Sequence, residues 1–408
     1  MHTLSFTGER QLRYPAPDVA RGFMLALIAL ANVPFWLSYF PETPQAGHAA
    51  LDAMNGADQW WYLARTLFVD RRAYPLFSLL FGFGMAIMAS RTMERERRAI
   101  EQNVPAEVVA GWHPVQRQIV EENIERHVRR TASRLIRRRG WWMLAFGLLH
   151  GIVFSGDIIG AYGLVAVIFA EVIVMRRAWA RILAGSLVAV LSMSGLWMGG
   201  AMMGREPMVL EYHGPMPLNA WYPLVSFGSW IVATPATVLT ALVVPCVMIG
   251  VGVARWGLLQ DPRGRGALLS GIAACGLGIG VLGGLPFALM QLDWAFVGSA
   301  AWSYPLFHAS GVAGACGWLA LLALVGGGPR ENLGTVCAFL SAIGRRSMTA
   351  YLSQTLLFIL IFSVLGACGV RSLGVAVSGL IAAGVWALIG LGCVIAEALG
   401  SSRGPAEW

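Results

Sequence analysis

The chain has 408 residues, of which 57% are hydrophobic and only 13% charged. Soluble domains carry roughly 25% charged residues, so this composition excludes a disordered chain and argues against an ordinary soluble enzyme. All 30 basic residues are arginine, which removes Schiff-base, P-loop lysine and lysine general-base chemistry. The net charge of +8 does not point to nucleic acid, because the arginines lie in gaps between apolar runs and form no basic patch on a soluble domain.

A hydrocarbon core of about 30 Å needs about 20 apolar residues of helix. Ten segments read as spans: 22–40, 74–91, 141–155, 158–175, 182–203, 226–254, 267–289, 303–325, 348–367 and 374–396. The chain is thus predicted to be an all-α polytopic transmembrane helix bundle, a single membrane domain over 1–408. The first segment opens at Asp18-Val-Ala-Arg21-Gly22, and Asn32 lies eleven residues after Arg21, roughly 16.5 Å up the same face. Ala46 to Ala50 faintly resembles a signal cleavage site, but the length of the segment and the spans beyond it favour membrane insertion.

Loop 41–73 carries His48, Asp52, Asp58, Arg65 and Asp70, with Trp60-Trp61-Tyr62 placed at an interface. The second segment includes Phe81-Gly82-Phe83-Gly84, too apolar for a phosphate loop and read as close helix packing. Residues 92–140 form an arginine-rich loop with mixed charges at helical spacing, as in solvated helices near anionic headgroups.

The third segment is short, begins at the anchoring pair Trp141-Trp142, and runs through His150 into Ser155-Gly156-Asp157. His150 and Asp157 share a face if helix continues between them. A break at Ser155-Gly156 would fold the chain back and still bring the carboxylate to the imidazole. Tyr162 follows in the fourth segment, and loop 204–225 holds Glu206, Glu211, Tyr212 and His213. Segment 226–254 is long enough to predict a tilted span or one extending beyond the bilayer. Gln291, Asp293 and Trp294 form a turn before the span that carries His308. The ninth span opens at Gly344-Arg345-Arg346, with Thr349, Tyr351 and Gln354 following, and a helix start beside two arginines suits an anion.

With the N-terminus inside, all arginines but Arg65, Arg71, Arg72, Arg205 and Arg371 fall on the inner side. The positive-inside rule then predicts both termini cytoplasmic, loop 92–140 cytoplasmic, and loops 41–73 and 204–225 extracytoplasmic. The six cysteines are scattered with no CxxC, so neither a zinc site nor a disulfide framework is signalled, and no metal is expected. HExxH, GxSxG and Walker patterns are absent.

Polar groups inside the membrane are functional candidates. A histidine oriented by a carboxylate is the usual construction of a general base, so His150 and Asp157 stand as a base pair against the alternative of a hydrogen-bonded packing histidine. Arg21 and Asn32 mark a path across the membrane, or else a snorkelling cation and an interhelical hydrogen bond.

These residues carry a family resemblance. Asp18-Val-Ala-Arg21-Gly22…Asn32, Arg72-Ala-Tyr-Pro-Leu-Phe77…Gly84, Arg139…His150-Gly151…Gly156-Asp157-Ile…Tyr162-Gly163, Gln291-Leu-Asp293-Trp294, Gly344-Arg345…Thr349-Ala-Tyr351-Leu-Ser-Gln354 and Arg403-Gly-Pro-Ala-Glu-Trp408 resemble the YeiB family of bacterial inner-membrane proteins. The His150–Asp157 interval is one residue shorter than in that family, and a basic aromatic tail usually follows the last motif. The family is distantly similar to transmembrane acyltransferases such as heparan-α-glucosaminide N-acetyltransferase, through Arg-Gly at the first span and a polar residue eleven further on. Asn32 stands where many O-acyltransferases have the catalytic histidine, so His150 is the preferred base and His48 a weaker counterpart.

The resemblance implies acyl transfer from cytoplasmic acyl-CoA (acetyl-CoA) to an extracytoplasmic hydroxyl or amine on a small molecule or glycan. Arg21, Arg139, Arg345 and Arg346 would hold its phosphates. His150, Asp157 and Asn32 would be catalytic, and Tyr162, Asp293, Trp294, His308 and Gln354 would bind substrate. Membrane lipids are the expected surroundings, and a homodimer is expected by analogy. The alternatives are a small-molecule transporter or exporter with the same polar residues lining its path, and a degenerate fold serving as an assembly partner.

Overall fold

The computed structural model describes residues 15–37, 40, 42, 47–103, 112–204, 221–259, 262–328, 333–401 and 403–407. Glu206, Glu211, Tyr212 and His213 lie outside the described residues, as does the side chain of His48. The described residues form helices with no strand. In chain order these are α1 (Ala16–Leu37), α2 (Gly47–Asp52), α3 (Gly56–Phe68), α4 (Ala73–Gln102), α5 (Pro114–Gly151), α6 (Ile159–Val174) and α7 (Ala178–Met203). The second half adds α8 (Tyr222–Thr240), α9 (Val243–Arg255), α10 (Gly266–Gln291), α11 (Ala300–Gly326), α12 (Thr335–Gly344), α13 (Ser347–Ala367) and α14 (Val375–Ala398).

Eight described segments are long and apolar enough to cross a membrane: α1, α3 with α4, α7, α8, α10, α11, α13 and α14. Leu183, Leu187, Val190 and Leu191 on α7, and Leu380, Leu388 and Leu391 on α14, are exposed without a protein partner face. Such continuous apolar surface requires lipid; the chain is a membrane protein. The expected segments 141–155 and 158–175 are the apolar end of α5 and the 16-residue α6, packed as a hairpin.

One expectation is corrected. Segment 226–254 is not one continuous helix, because the chain breaks at Ala241-Leu242, where Leu242 takes φ +56°. Pro245 explains the break, since a continuous helix would drive its ring into the carbonyl of Ala241. Helix α12 lies between the expected spans 303–325 and 348–367. The arginine-rich loop is helical, as expected: α4 and α5 run on as long polar extensions, with 104–111 between them outside the described residues. Arg97 ties the two extensions by bonding Glu121 at 2.6 Å and Glu125 at 3.1 Å. The hydrogen bond to Glu121 leads the causes that raise the Arg97 pKa.

Helices α1 and α4 pack together at the centre, with α9 and α11 against α4 and with α12 and α14 against α1. Two crossings bring backbone against backbone. Gly22 of α1 faces the carbonyl of Leu340, while Gly344 beside it on α12 faces the carbonyl of Asp18. Gly82 of α4 faces the carbonyl of Val247, and Gly250 of α9 faces that of Leu79. Without a hydrophobic force between helices in lipid, such close approach supplies the dispersion contact that holds them. The glycine at Phe81-Gly82 thus serves packing, as its apolar setting indicated.

Candidate functional site

At the end of the bundle opposite the arginine-rich extensions, the chain turns back between α5 and α6. The residues Ser155-Gly156 cannot sustain a helix there, and α5 ends at Gly151. The turn returns Asp157 to the histidine in the last turn of α5: His150 Nδ1 and Asp157 Oδ1 lie 2.8 Å apart. Of the two geometries the sequence left open, the broken helix is the one adopted. Both residues are buried.

Each partner is held in turn. Asp157 Oδ2 accepts from the Gly160 amide at 2.8 Å and from the Trp230 indole at 3.3 Å. A carboxylate receiving those donors accepts a third from Nδ1–H, which fixes the neutral tautomer with its lone pair on Nε2. That nitrogen faces the Thr355 hydroxyl at 2.9 Å, so the hydroxyl donates to it. Carboxylate, imidazole and hydroxyl therefore stand in a line, the arrangement in which a hydroxyl loses its proton most readily. Rings of Phe154 and Tyr351 flank the imidazole.

A cavity of about 380 Å³ opens beside this line. Asn32, Asp157 and Tyr351 form one wall, while Tyr62, Arg65, Thr66, Asp70, Arg71 and Tyr74 form another. Phe77, Phe287 and Phe307 supply much of the apolar remainder. The walls come from seven separate helices and the turns beside them, so the site exists only in the assembled bundle.

The expected substrate residues do not line this cavity. Tyr162 is buried, donates to the Tyr74 carbonyl at 3.0 Å and meets Ser78 Oγ at 3.1 Å. Gln354 donates to the Leu25 carbonyl at 2.9 Å. His308 is buried with Nδ1 3.3 Å from the Tyr74 hydroxyl. Asp293 and Trp294 occupy an exposed turn, where Trp294 meets Trp60. These groups join helices or sit on the surface: Tyr162 and Gln354 find acceptors on neighbouring backbone, while His308 Nε2 is buried with no partner among the described residues.

The four expected phosphate-binding arginines divide into two pairs. Arg21 pairs with Asp18 at 3.2 Å and reaches the α4 face at Gly84. Arg139 is exposed and contacts Met88, one turn further along α4. Arg345 is bound to Glu397 and to Ser341, and Arg346 is buried on the carbonyls of Ala342 and Ser401. The α13 start does hold an anion, but the anion is internal. Glu407 accepts from the amides of Met348 at 2.8 Å and Thr349 at 3.0 Å, and from the Thr349 hydroxyl at 2.6 Å. A carboxylate is the natural occupant of free amides at a helix N-terminus. Replacing Glu407 by alanine is expected to lower stability by about 1–2 kcal/mol, read as a lower Tm of the detergent-solubilised chain. An unchanged Tm would contradict the capping role.

The region holding these last motifs carries a family match. The model of the family described as "Protein of unknown function (DUF418)" matches residues 253–408. That stretch is similar to the family, and the rest of the chain lies outside the match. The match fits the YeiB resemblance over Gln291 to Trp294, Gly344 to Gln354 and the closing Arg403 to Trp408. No curated protein and no solved structure matches the chain. Within the matched region lie Thr355 and Tyr351, whereas His150, Asp157, Asn32 and the cavity arginines precede it.

Thr355 was missed because nothing near it in sequence marks it; 205 residues separate it from His150. Arg65 and Arg71 carried a signal, since they were among the few arginines on the wrong side of the charge asymmetry.

Proposed function

We propose that this protein is a multi-pass acyltransferase of the bacterial inner membrane, moving an acyl group from cytoplasmic acyl-CoA to an extracytoplasmic hydroxyl or amine. The supporting observation is the Asp157–His150–Thr355 line, whose Asp157 end lines a cavity that also presents Asn32 and Tyr351. His150 acts as general base through Nε2, taking the acceptor proton directly or through the Thr355 oxygen. Asp157 holds the tautomer and stabilises the imidazolium that forms. Asn32 donates to the developing oxyanion, a contribution of about 3 kcal/mol in comparable sites. Both termini and the arginine-rich extensions face the cytoplasm on this reading, and the cavity faces out. With Arg345 and Arg346 committed internally, the CoA phosphates fall to Arg21 and Arg139, which suit them by bidentate bonding.

Purified protein given acetyl-CoA labelled in its acetyl group should release CoA and pass label to a hydroxyl or amine acceptor. Protein that neither binds acetyl-CoA nor releases CoA would contradict the proposal. A second reading, carriage of a small molecule, is favoured by the α8–α9 break, because Thr237 and Ala241 at that break line the cavity and broken helices mark transporter sites. Flux into proteoliposomes without any covalent product would select it.

A further inference from the structure

Eight residues at the cavity, Arg65 to Arg72, set three arginines against one carboxylate. Asp70 pairs with Arg65, its Oδ2 lying 2.9 Å from Arg65 Nε. Arg72 is fully buried behind the cavity and is satisfied by the carbonyls of Thr66, Asp70 and Gly280. Arg71 lines the cavity from a left-handed backbone, φ +59°. The remaining carboxylate at the cavity, Asp157, is turned to His150, Gly160 and Trp230. Arg65, Thr66, Asp70 and Arg71 thus form the side of the cavity made by α3 and the start of α4.

Two polar atoms on that side are unmet. Arg65 is only 6% exposed and Thr66 1%. Arg65 Nη1 and Thr66 Oγ1 are buried with no hydrogen-bond partner among the described residues. A buried guanidinium N–H without an acceptor is costly, and native proteins keep such groups where a ligand or partner meets them. The opposite part of the cavity is apolar, built on Phe77, Phe287 and Phe307.

We infer that the cavity binds an anionic amphiphile: an oxyanion head held by Arg65, Thr66 and Arg71, with an apolar body against the phenylalanines. The anion enters from water or arrives as the headgroup of a lipid; the recognising chemistry is the same. Calling this ligand the acyl acceptor rests on the proposed acyl transfer, whereas its binding does not.

The test uses full-length protein in nanodiscs of neutral lipid, titrated with hexyl phosphate, hexanol and hexylammonium, with ligand-induced Tm shift as the readout. Hexyl phosphate should raise Tm and the other two should not. Arg71→Gln and Thr66→Val should each weaken that binding, Arg71→Gln by at least about tenfold. Arg65→Gln should abolish it, and because this change also breaks the Asp70 pair, the first two variants carry the result if the third does not fold. Adding an anionic lipid to the nanodisc separates the sources. Competition with hexyl phosphate marks a headgroup, and unaltered hexyl phosphate binding marks a soluble anion; both sustain the site. Equal shifts from hexanol and hexyl phosphate, or unchanged affinity in Arg71→Gln and Thr66→Val, would overturn it. Binding intact but without any acyl transfer would remove the enzyme reading and leave the anion site standing.

Discussion

Acetyl transfer is expected to fall by about 10³-fold or more in His150→Gln, and Asp157→Asn is expected to fall nearly as far. General-base assistance alone contributes about 10²–10⁴-fold, and removing the carboxylate also frees the imidazole to adopt the wrong tautomer. In Asp157→Asn the amide can present an N–H to Nδ1, which then takes the acceptor role and leaves Nε2 protonated toward Thr355. The two substitutions act on one unit, so the double variant should be little slower than either single one. Thr355→Val tests the hydroxyl: a relay role predicts a smaller loss, a nucleophilic role a loss as deep as that of His150→Gln. Label transfer from acetyl-CoA measures all four proteins, with Tm as the control for folding. His150→Gln leaves Asp157 its other two donors, so it should remain assembled. Full activity in that variant would remove His150 from the chemistry.

The largest loss of stability is expected at the α1–α12 crossing. A side chain at Gly22 would strike the Leu340 carbonyl, and one at Gly344 the Asp18 carbonyl. Backbone on both sides leaves nothing flexible to move aside, so Gly22→Val or Gly344→Val should each cost about 3 kcal/mol or more. Because both force the same pair of helices apart, their costs should not add. Gly278→Ala on α10 is the control, with open space around it, and should be neutral or stabilising by up to about 1 kcal/mol. Reversible unfolding in mixed detergent, or Tm where unfolding is irreversible, checks the series. The crossing also bears on the site: α1 carries Asn32, and α12 leads directly into α13 with Tyr351 and Thr355. Loosening it should weaken activity along with stability.

The helices, their order and the His150–Asp157 pair were legible because each depends on local pattern. Apolar runs set the spans, and a seven-residue interval with Ser155-Gly156 inside allowed only geometries that bring the carboxylate back. What depended on distant chain was not legible. Thr355 meets His150 only after α13 docks, and Glu407 fills the α13 start from nearly sixty residues away. That cap is why Arg345 and Arg346 looked like a phosphate site in sequence and are a structural junction in the fold. Tyr162, His308 and Gln354 were ambiguous for a related reason: a polar residue in an apolar run signals either a site or an interhelical bond, and composition cannot separate them. The break at Ala241-Leu242 did leave a mark in Pro245, which the apolar length of 226–254 outweighed.

The most direct test of the central claim is a structure determined with a non-hydrolysable thioether analogue of acetyl-CoA. The account predicts the acyl end between Asn32 and the His150–Asp157 pair, with the nucleotide at the opposite end of the bundle near Arg21 and Arg139. An analogue that binds elsewhere, or leaves that cavity untouched at saturating concentration, would contradict it.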